Sequence, residues 1–436
     1  MKILLVKPRW FVSGGVYRYL EKIKFTPLHL GILAALTPAE HEVRVVDGDW
    51  EEIPDRPEAD LVGITTTTFT SGQVFEIADR YRSYGAKVVL GGVHPCLMPE
   101  ESLQHCDAIV VGEAEYIWKD VISDVQNGTL KKVYRSGRVT EMKDVPFPRR
   151  GLLNESSWFA CIQTSRGCPN SCRYCYLPSV PWHAHRYRSV ESVYNELKSI
   201  HQSVIFFVDD NIFADHGYVK ELCNAIKPLH KLWSVQTPTS VAKDEETVAA
   251  MAAAGCFNVQ IGFQTINPDS LQWATIKQNK VGEYKNIVEV FHKYNILVTA
   301  FLIFGFDTDT KNIFDATIKM VQELDIDDAN LYILTPYPGT ELYDKFKSEG
   351  RLIESKGKDR THYGWNHAVF QPKNMTAEEL EKGVQYAADQ LYGYFKKKVP
   401  IAVIKRLPQL IRRPSLIATL FRGGFGKMKI TKELKY

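Results

Sequence analysis

Between Thr164 and Tyr176 the chain reads Thr-Ser-Arg-Gly-Cys-Pro-Asn-Ser-Cys-Arg-Tyr-Cys-Tyr, and no other stretch constrains it as tightly. Cys168, Cys172 and Cys175 are spaced by three and then two residues, in a segment that also holds Gly167, Pro169 and Asn170. Such a segment is too irregular for a helix or strand, so it forms a loop suited to wrapping a ligand. Thiolates are soft ligands that suit zinc or iron–sulfur centres. Zinc wants a fourth protein ligand, commonly from a second CxxC or a His pair, and no pair of that spacing follows. Three cysteines without a fourth point to a cluster with one iron left open for a non-protein ligand. The alternatives are a structural zinc knuckle or incidental thiols.

CxxxCxxC with Tyr174 just before the last cysteine resembles the signature of the radical S-adenosylmethionine (SAM) superfamily. That resemblance implies a [4Fe–4S] cluster on Cys168, Cys172 and Cys175. It also implies that SAM chelates the open iron through its amino and carboxylate groups, beside Tyr174.

A chain of 436 residues exceeds what one core usually supports, so two or three domains are expected. A net charge of +3 gives no reason to expect nucleic-acid binding. The eight cysteines are scattered irregularly, unlike a secreted disulfide framework. Met1 to Pro8 reads as a strand without the apolar run of a signal peptide. The expectation is a cytoplasmic protein, attached at most peripherally to the inner membrane face.

Residues 1–125 alternate apolar strands with helical patterns, which predicts a doubly wound, Rossmann-like parallel sheet. In such sheets ligands bind at the carboxyl ends of the strands. Here those ends carry Gly48, the hydroxyl-rich run Thr65, Thr66 to Ser71, the pair Gly91 and Gly92 followed by His94, and Gly112 with Glu113. There is no GxGxxG. The block resembles the cobalamin-binding domain that precedes the barrel in one large class of radical SAM enzymes, most specifically at Leu90–Pro95 and Val111–Glu115. The resemblance makes these residues candidate cobalamin contacts. The Asp-x-His-x-x-Gly loop that supplies cobalt's lower ligand elsewhere is missing, so His94 either ligates cobalt or caps its turn.

Residues 126–160 read as a connector, with a hairpin over Lys131–Arg138. From 161 to 345 strands and helices alternate again, as in a partial (β/α) barrel. Ser203–Val208 ends in Asp209 and Asp210, which by resemblance contact the SAM amine or simply cap the next helix. Phe257–Gly262 leads to Gln264, where the family often carries Glu. Leu297–Phe304 leads into Gly305 and Asp307; Phe304 and Gly305 are candidates to approach the adenine of SAM, and Asp307 to bond its ribose or cap the next helix.

Residues 346–436 form a helical, basic C-terminal region. Trp365–Pro372 resembles the tail of the branch that holds hopanoid methylases and the bacteriochlorophyll oxidative cyclase. His362 and His367 are candidate substrate contacts or satisfied loop histidines. Lysines and arginines mixed with apolar residues after Lys396 fit an interfacial membrane element or a solvated helix, cut short by Pro400, Pro408 and Pro414.

The resemblance thus implies a cobalamin-dependent methyltransferase acting on an unactivated carbon of a lipid or isoprenoid. It would use a 5′-deoxyadenosyl radical, methylcobalamin and an electron donor such as flavodoxin or ferredoxin. The rivals are an oxidative cyclase or other carbon–carbon bond former on a tetrapyrrole or lipid, and a non-catalytic cobalamin- or SAM-binding regulator.

Overall fold

The structure, a computed structural model, describes residues 1–10, 24–156 and 158–411. Its first sheet holds β1 (Lys2–Lys7), β2 (Glu42–Asp47), β3 (Leu61–Thr65), β4 (Lys87–Gly91), β5 (Ala108–Val111) and β6 (Val133–Arg135). All pair in parallel in the order β2-β1-β3-β4-β5-β6. The short apolar runs follow from burial on both faces. Leu4, Val6, Val62, Ile64 and Leu90 pack on one side, and Ile3, Leu5, Leu61 and Val89 pack on the other with Trp118. The order reverses between β1 and β3, so the crevice of this sheet opens beside the loops after Lys7 and Thr65. The hairpin expected over Lys131–Arg138 is absent. Tyr134 is buried, and the segment adds a parallel edge strand to β5 instead.

The second half begins with β7 (Phe159–Ile162) and a two-residue antiparallel pair, β8 (Ser165–Arg166) with β9 (Arg186–Tyr187). Then come β10 (Val204–Phe207), β11 (Leu232–Thr237), β12 (Cys256–Gln264), β13 (Leu297–Phe304) and β14 (Asp328–Ile333). The six long strands form an open parallel sheet in the order β14-β13-β12-β11-β10-β7, the partial barrel expected. Alternation sets its two faces. Phe207, Val235, Val259, Ile261, Leu302, Phe304, Leu331 and Ile333 are buried in one core with residues of the intervening helices, such as Val193, Leu222, Val248 and Ile287. Each such side chain is worth roughly 1.5–3 kcal/mol when fully buried.

The last helix, Ala377–Ile411, packs Leu380, Val384, Ala387 and Leu391 into the same core. Its backbone runs helically through Pro400 and Pro408, which do not cut it as expected. The basic stretch from 412 onward lies outside the described residues. No helix among the described residues is long and apolar enough to cross a membrane.

Candidate functional site

The cysteine loop is bracketed by β8 and β9 and pinned by its own backbone. Cys168 N donates to His183 O at 3.1 Å and Cys175 N to Cys172 O at 3.0 Å. Gly167 has φ +82°, and a Cβ there would lie 2.5 Å from the carbonyl oxygens of His183 and Ala184, so only glycine permits the turn. Asn211 Nδ2 lies 3.7 Å from Cys168 Sγ and Gln278 Nε2 3.9 Å from Cys172 Sγ, amide donors of the kind that tune cluster sulfurs. Burial pushes the Cys175 thiol up to about 12 and raises Cys172, and the neighbouring cysteines add to both. Among the described residues no three His, Cys, Asp or Glu side chains converge on one ion. A four-iron cluster asks instead that each thiolate take its own iron, and this donor set fits it.

Asp209 and Asp210 split their work. Asp209 is 2% exposed, and its Oδ1 accepts from Thr164 N (2.8 Å), Thr164 Oγ1 (2.9 Å), Ser165 Oγ (2.7 Å) and Ser165 N. It is a strut beneath the cluster loop with no surface for SAM, contrary to expectation. Asp210 stays exposed and uses Oδ2 to accept from Gly167 N at 3.0 Å. Gln264 sits at φ +66°, next to a register shift between β12 and β13, a strained backbone of the kind found at ligand sites. Tyr174 is half-buried, edge-on to Phe306 at 6.4 Å. Three expectations at the end of β13 are corrected. Phe304 stacks on Phe314 in the core, at 5.5 Å. Gly305 packs against Leu380, 2.7 Å from where a Cβ would stand. Asp307 pairs with Arg351 at 2.7 Å and Lys373 at 3.0 Å.

The strand ends of the first sheet face this loop. Val93, Cys96, Leu97 and Met98 pack with Cys168, Cys175, Tyr176 and Leu177 in one apolar cluster. Gly339, on the loop after β14, approaches Leu97 so closely that a Cβ would stand 2.6 Å from its carbonyl oxygen. Of the candidate cobalamin contacts, Thr65, Gly91, Gly92 and Gly112 keep accessible surface. A Cβ at Gly91 or Gly112 would meet nothing nearer than 4.0 Å, so a bulky ring has room there. Thr66 Oγ1, buried next to Thr65, has no partner among the described residues. These features fit a corrinoid.

Other candidates point inward. Ser71 Oγ donates to Thr68 O at 3.0 Å, and Gly48 is buried against Arg9. His94 is 0% exposed, with Nδ1 3.3 Å from Thr68 Oγ1, so its ring is not open to cobalt. Glu113 is spent on Arg186 (2.8 Å), Arg166 (2.9 Å) and Thr140 N (2.6 Å), while Arg166 also holds Glu115 at 2.7 Å. Burial raises the Glu113 carboxyl, but these partners outweigh it and hold the group below its ordinary range. This buried ion network fastens the first sheet to the cluster loop.

A second fastening joins Glu101 to Arg360 at 2.7 Å, with His94 Nε2 3.5 Å away. His94 and Arg360 hold the Glu101 carboxyl at about 2, below its ordinary 4.5. A depressed carboxyl contributes stability above the unfolded value and loses it as the pH falls. Acid should therefore weaken this latch between pH 4.5 and about 2. Glu101→Gln should reduce the acid dependence of thermal unfolding in that window; an identical dependence in both proteins would refute the assignment. His362 and His367 stand edge-on at 4.9 Å, the first against Lys356 O at 3.0 Å and the second 3.7 Å from Glu381. Both have local partners, as satisfied loop histidines do.

The inner face of the partial barrel holds residues that sequence reading passed over. Register places Gln236 beside Gln260, Gln260 beside Thr299, and Thr299 beside Asp328, one row across four strands. Gln236 and Asp328 are exposed. Burial nevertheless pushes the Asp328 carboxyl up to about 6, with Asp327 adding to the rise. His29, on the helix after β1, is likewise exposed while burial, then Lys7 and Arg166, lower it to about 4. Gln236, Gln260 and Asp328 thus share one accessible row on the face of the sheet opposite its buried core. The signal in the sequence was the polar alternation Asp328, Asn330, Tyr332 on one face of a strand.

Comparison with known proteins bears on this site. A model of the radical SAM superfamily matches residues 162–321, and one of the B12 binding domain matches residues 23–122. Bacteriochlorophyllide d C-12(1)-methyltransferase of Chlorobaculum tepidum is 30% identical over 396 residues, covering 87% of this chain and 84% of that protein. Hopanoid C-2 methylase of Rhodopseudomonas palustris is 24% identical over 381 residues, 82% of this chain and 72% of that protein. The fold is similar to that of the radical S-adenosylmethionine methyltransferase TsrM from Kitasatospora setae, solved with cobalamin and a [4Fe–4S] cluster. The TM-score is 0.63 at 19% identity, covering 80% of this chain and 78% of that one.

Proposed function

This chain belongs to the cobalamin-dependent radical SAM methyltransferases, and from that premise we propose that it methylates an unactivated carbon on the periphery of a tetrapyrrole. The family's cofactors are SAM, a [4Fe–4S] cluster and cobalamin. When bound, they supply a radical that removes hydrogen from carbon and a methyl group that replaces it. The observation that carries the reading is the shared junction, where Cys168 and Cys175 join one apolar cluster with Cys96 and Leu97 of the short helix after β4. Two cofactors held on either side of it would act on one substrate.

In this reading residues 1–125 hold the corrinoid and 126–160 connect. Residues 161–345 hold the cluster and SAM, and 346–436 face the substrate. Cys168, Cys172 and Cys175 ligate the cluster. Tyr174, Asp210 and Gln264 line the SAM site, with Asp210 accepting from the SAM amine. Thr65, Thr66, Gly91, Gly92 and Gly112 border the corrin. The arginine network around Glu113 holds the two halves at fixed separation, and the packed junction excludes water. The cluster held by these cysteines would need an electron donor of the flavodoxin or ferredoxin type, and the basic C-terminal region would provide peripheral membrane contact.

The tetrapyrrole assignment, in place of the lipid or isoprenoid first expected, is supported by the 30% identity to a bacteriochlorophyllide methyltransferase, against 24% to the hopanoid methylase. The test is anaerobic turnover with SAM, cobalamin, a strong reductant and a magnesium chlorin. S-adenosylhomocysteine and 5′-deoxyadenosine should form together with a methylated chlorin. Deoxyadenosine alone would exclude methyl transfer and favour the cyclase reading.

A further inference from the structure

The barrel's inner face has a graded polarity. At its foot Ser234 Oγ donates to Asn258 Oδ1 at 2.9 Å and Asn258 Nδ2 to Thr299 Oγ1 at 3.0 Å, so this row satisfies itself. Beside it runs the row of Gln236, Gln260, Thr299 and Asp328. Towards the strand ends follow Phe301, register partner of Asn330, and Ile303, partner of Tyr332. Phe301 and Tyr332 stand edge-on with centroids 5.6 Å apart. None of these positions carries a lysine or arginine. Among the described residues the Asp328 carboxyl accepts from the adjacent Ala329 N, at 2.9 Å, and pairs with no lysine or arginine, while its neighbour Asp327 takes His292 and Lys398.

An accessible carboxylate inside a protein, without a cation, is costly unless something donates to it. The amides beside it can donate or accept. Aromatic rings nearer the strand ends favour a flat apolar body. We propose that the row centred on Asp328, with Gln236 and Gln260, is a specificity site for a neutral hydrogen-bond donor, a hydroxyl or amide N–H, on the inserted edge of the substrate. Phe301 and Tyr332 hold the ring above it. With no lysine or arginine among its own residues, the row disfavours a carboxylate, so an acidic substituent of the substrate stays outside. The inference rests on the tetrapyrrole reading and narrows it to chlorins that enter by a hydroxylated or amidated edge.

The test is equilibrium dialysis of the cofactor-loaded protein with two zinc chlorins that differ in one substituent, a hydroxyalkyl group or its methyl ether. The wild type should bind the hydroxyl compound about tenfold more tightly, as expected for a donor to a charged acceptor. Asp328→Ala should cut that preference to less than about twofold. Asp328→Asn, which keeps shape and one acceptor oxygen, should fall between, and an unchanged anaerobic absorption spectrum shows that the variants are loaded. Equal binding of the two chlorins by wild type, or a preference that survives Asp328→Ala, overturns the inference even where methylation proceeds. A preference that depends on Asp328 without any methylation upholds the site and rejects methyl transfer. Failure of both chlorins to bind rejects both.

Discussion

Cys172→Ala, reconstituted anaerobically with iron and sulfide, should yield no detectable S-adenosylhomocysteine or 5′-deoxyadenosine, a loss of at least ~10³-fold. Its iron content should fall well below the wild type's expected value of about four per chain. The effect is this large because the loop has no spare ligand. Cys168, Cys172 and Cys175 are the only cysteines between Cys161 and Cys223. Cys161 is buried in β7, and burial pushes its thiol up to about 11. Removing Cys172 also leaves the amide of Gln278 without its sulfur acceptor. The control is Cys223→Ala. That thiol is 2% exposed among Leu222, Ile226 and their neighbours and acts as a small apolar side chain. The control variant should keep its iron and its activity at a modest cost in stability. Full activity in Cys172→Ala would return the chain to the regulator reading.

Asp209→Ala should lower stability by about 4 kcal/mol or more, because one buried oxygen serves four donors. Each buried donor left without a partner costs about 1–3 kcal/mol. Those donors belong to Thr164 and Ser165, which lead the chain into the cluster loop, so cluster occupancy should fall with stability. Asp209→Asn makes the contrast. Asn keeps the accepting oxygen, and its amide nitrogen takes the place of Oδ2, which is buried without a partner. Its cost should be under half that of alanine. Burial pushes the Asp209 carboxyl up to about 6 from its ordinary 3.8. A raised carboxyl favours the folded state at low pH and loses that advantage as the pH climbs through 3.8 to about 6. The penalty of the native Asp over Asn should therefore be largest above that window, as measured by thermal unfolding at pH 5 and pH 8. Equal losses for Ala and Asn would show that the four hydrogen bonds do not carry the stability.

Much of this architecture was legible in the chain. The apolar strands Ile3–Val6, Leu61–Ile64 and Leu297–Phe304 announce burial by composition alone, and each appears in β1, β3 or β13. The helix Ser71–Ser83 opens three residues before its first buried aliphatic side chain, Val74, with Ser71 N reaching back to Thr68 O at 3.3 Å, a local bond that hydropathy does not encode. Lys131–Arg138 was misread because a parallel partner 24 residues away, Val133 with Ile109, leaves no mark on local pattern.

The site residues divide along the same line. Cys168, Cys172 and Cys175 could be read directly, since metal ligation demands a residue type at a spacing within a single loop. Asp209 and Asp210 are adjacent and chemically alike, yet one is a buried strut and the other an exposed acceptor. Both lie past the end of β10, and their roles depend on which residues of the incoming loop reach them: Thr164, 45 residues earlier, closes on Asp209, and Gly167 on Asp210. Glu113 read as a ligand contact until Arg166 and Arg186 closed on it from the other half of the chain. Asp328 read as nothing in particular, because its meaning depends on register with Thr299, Gln260 and Gln236.

The sequence by itself thus determined the fold class, the cluster loop and the order of the two halves, all of which rest on local periodicity or short spacing. Tertiary structure alone decided which carboxylates face a ligand and which hold the protein together. A charge buried against a partner and a charge left accessible differ only in what surrounds them, and those surroundings come from segments far apart in the chain.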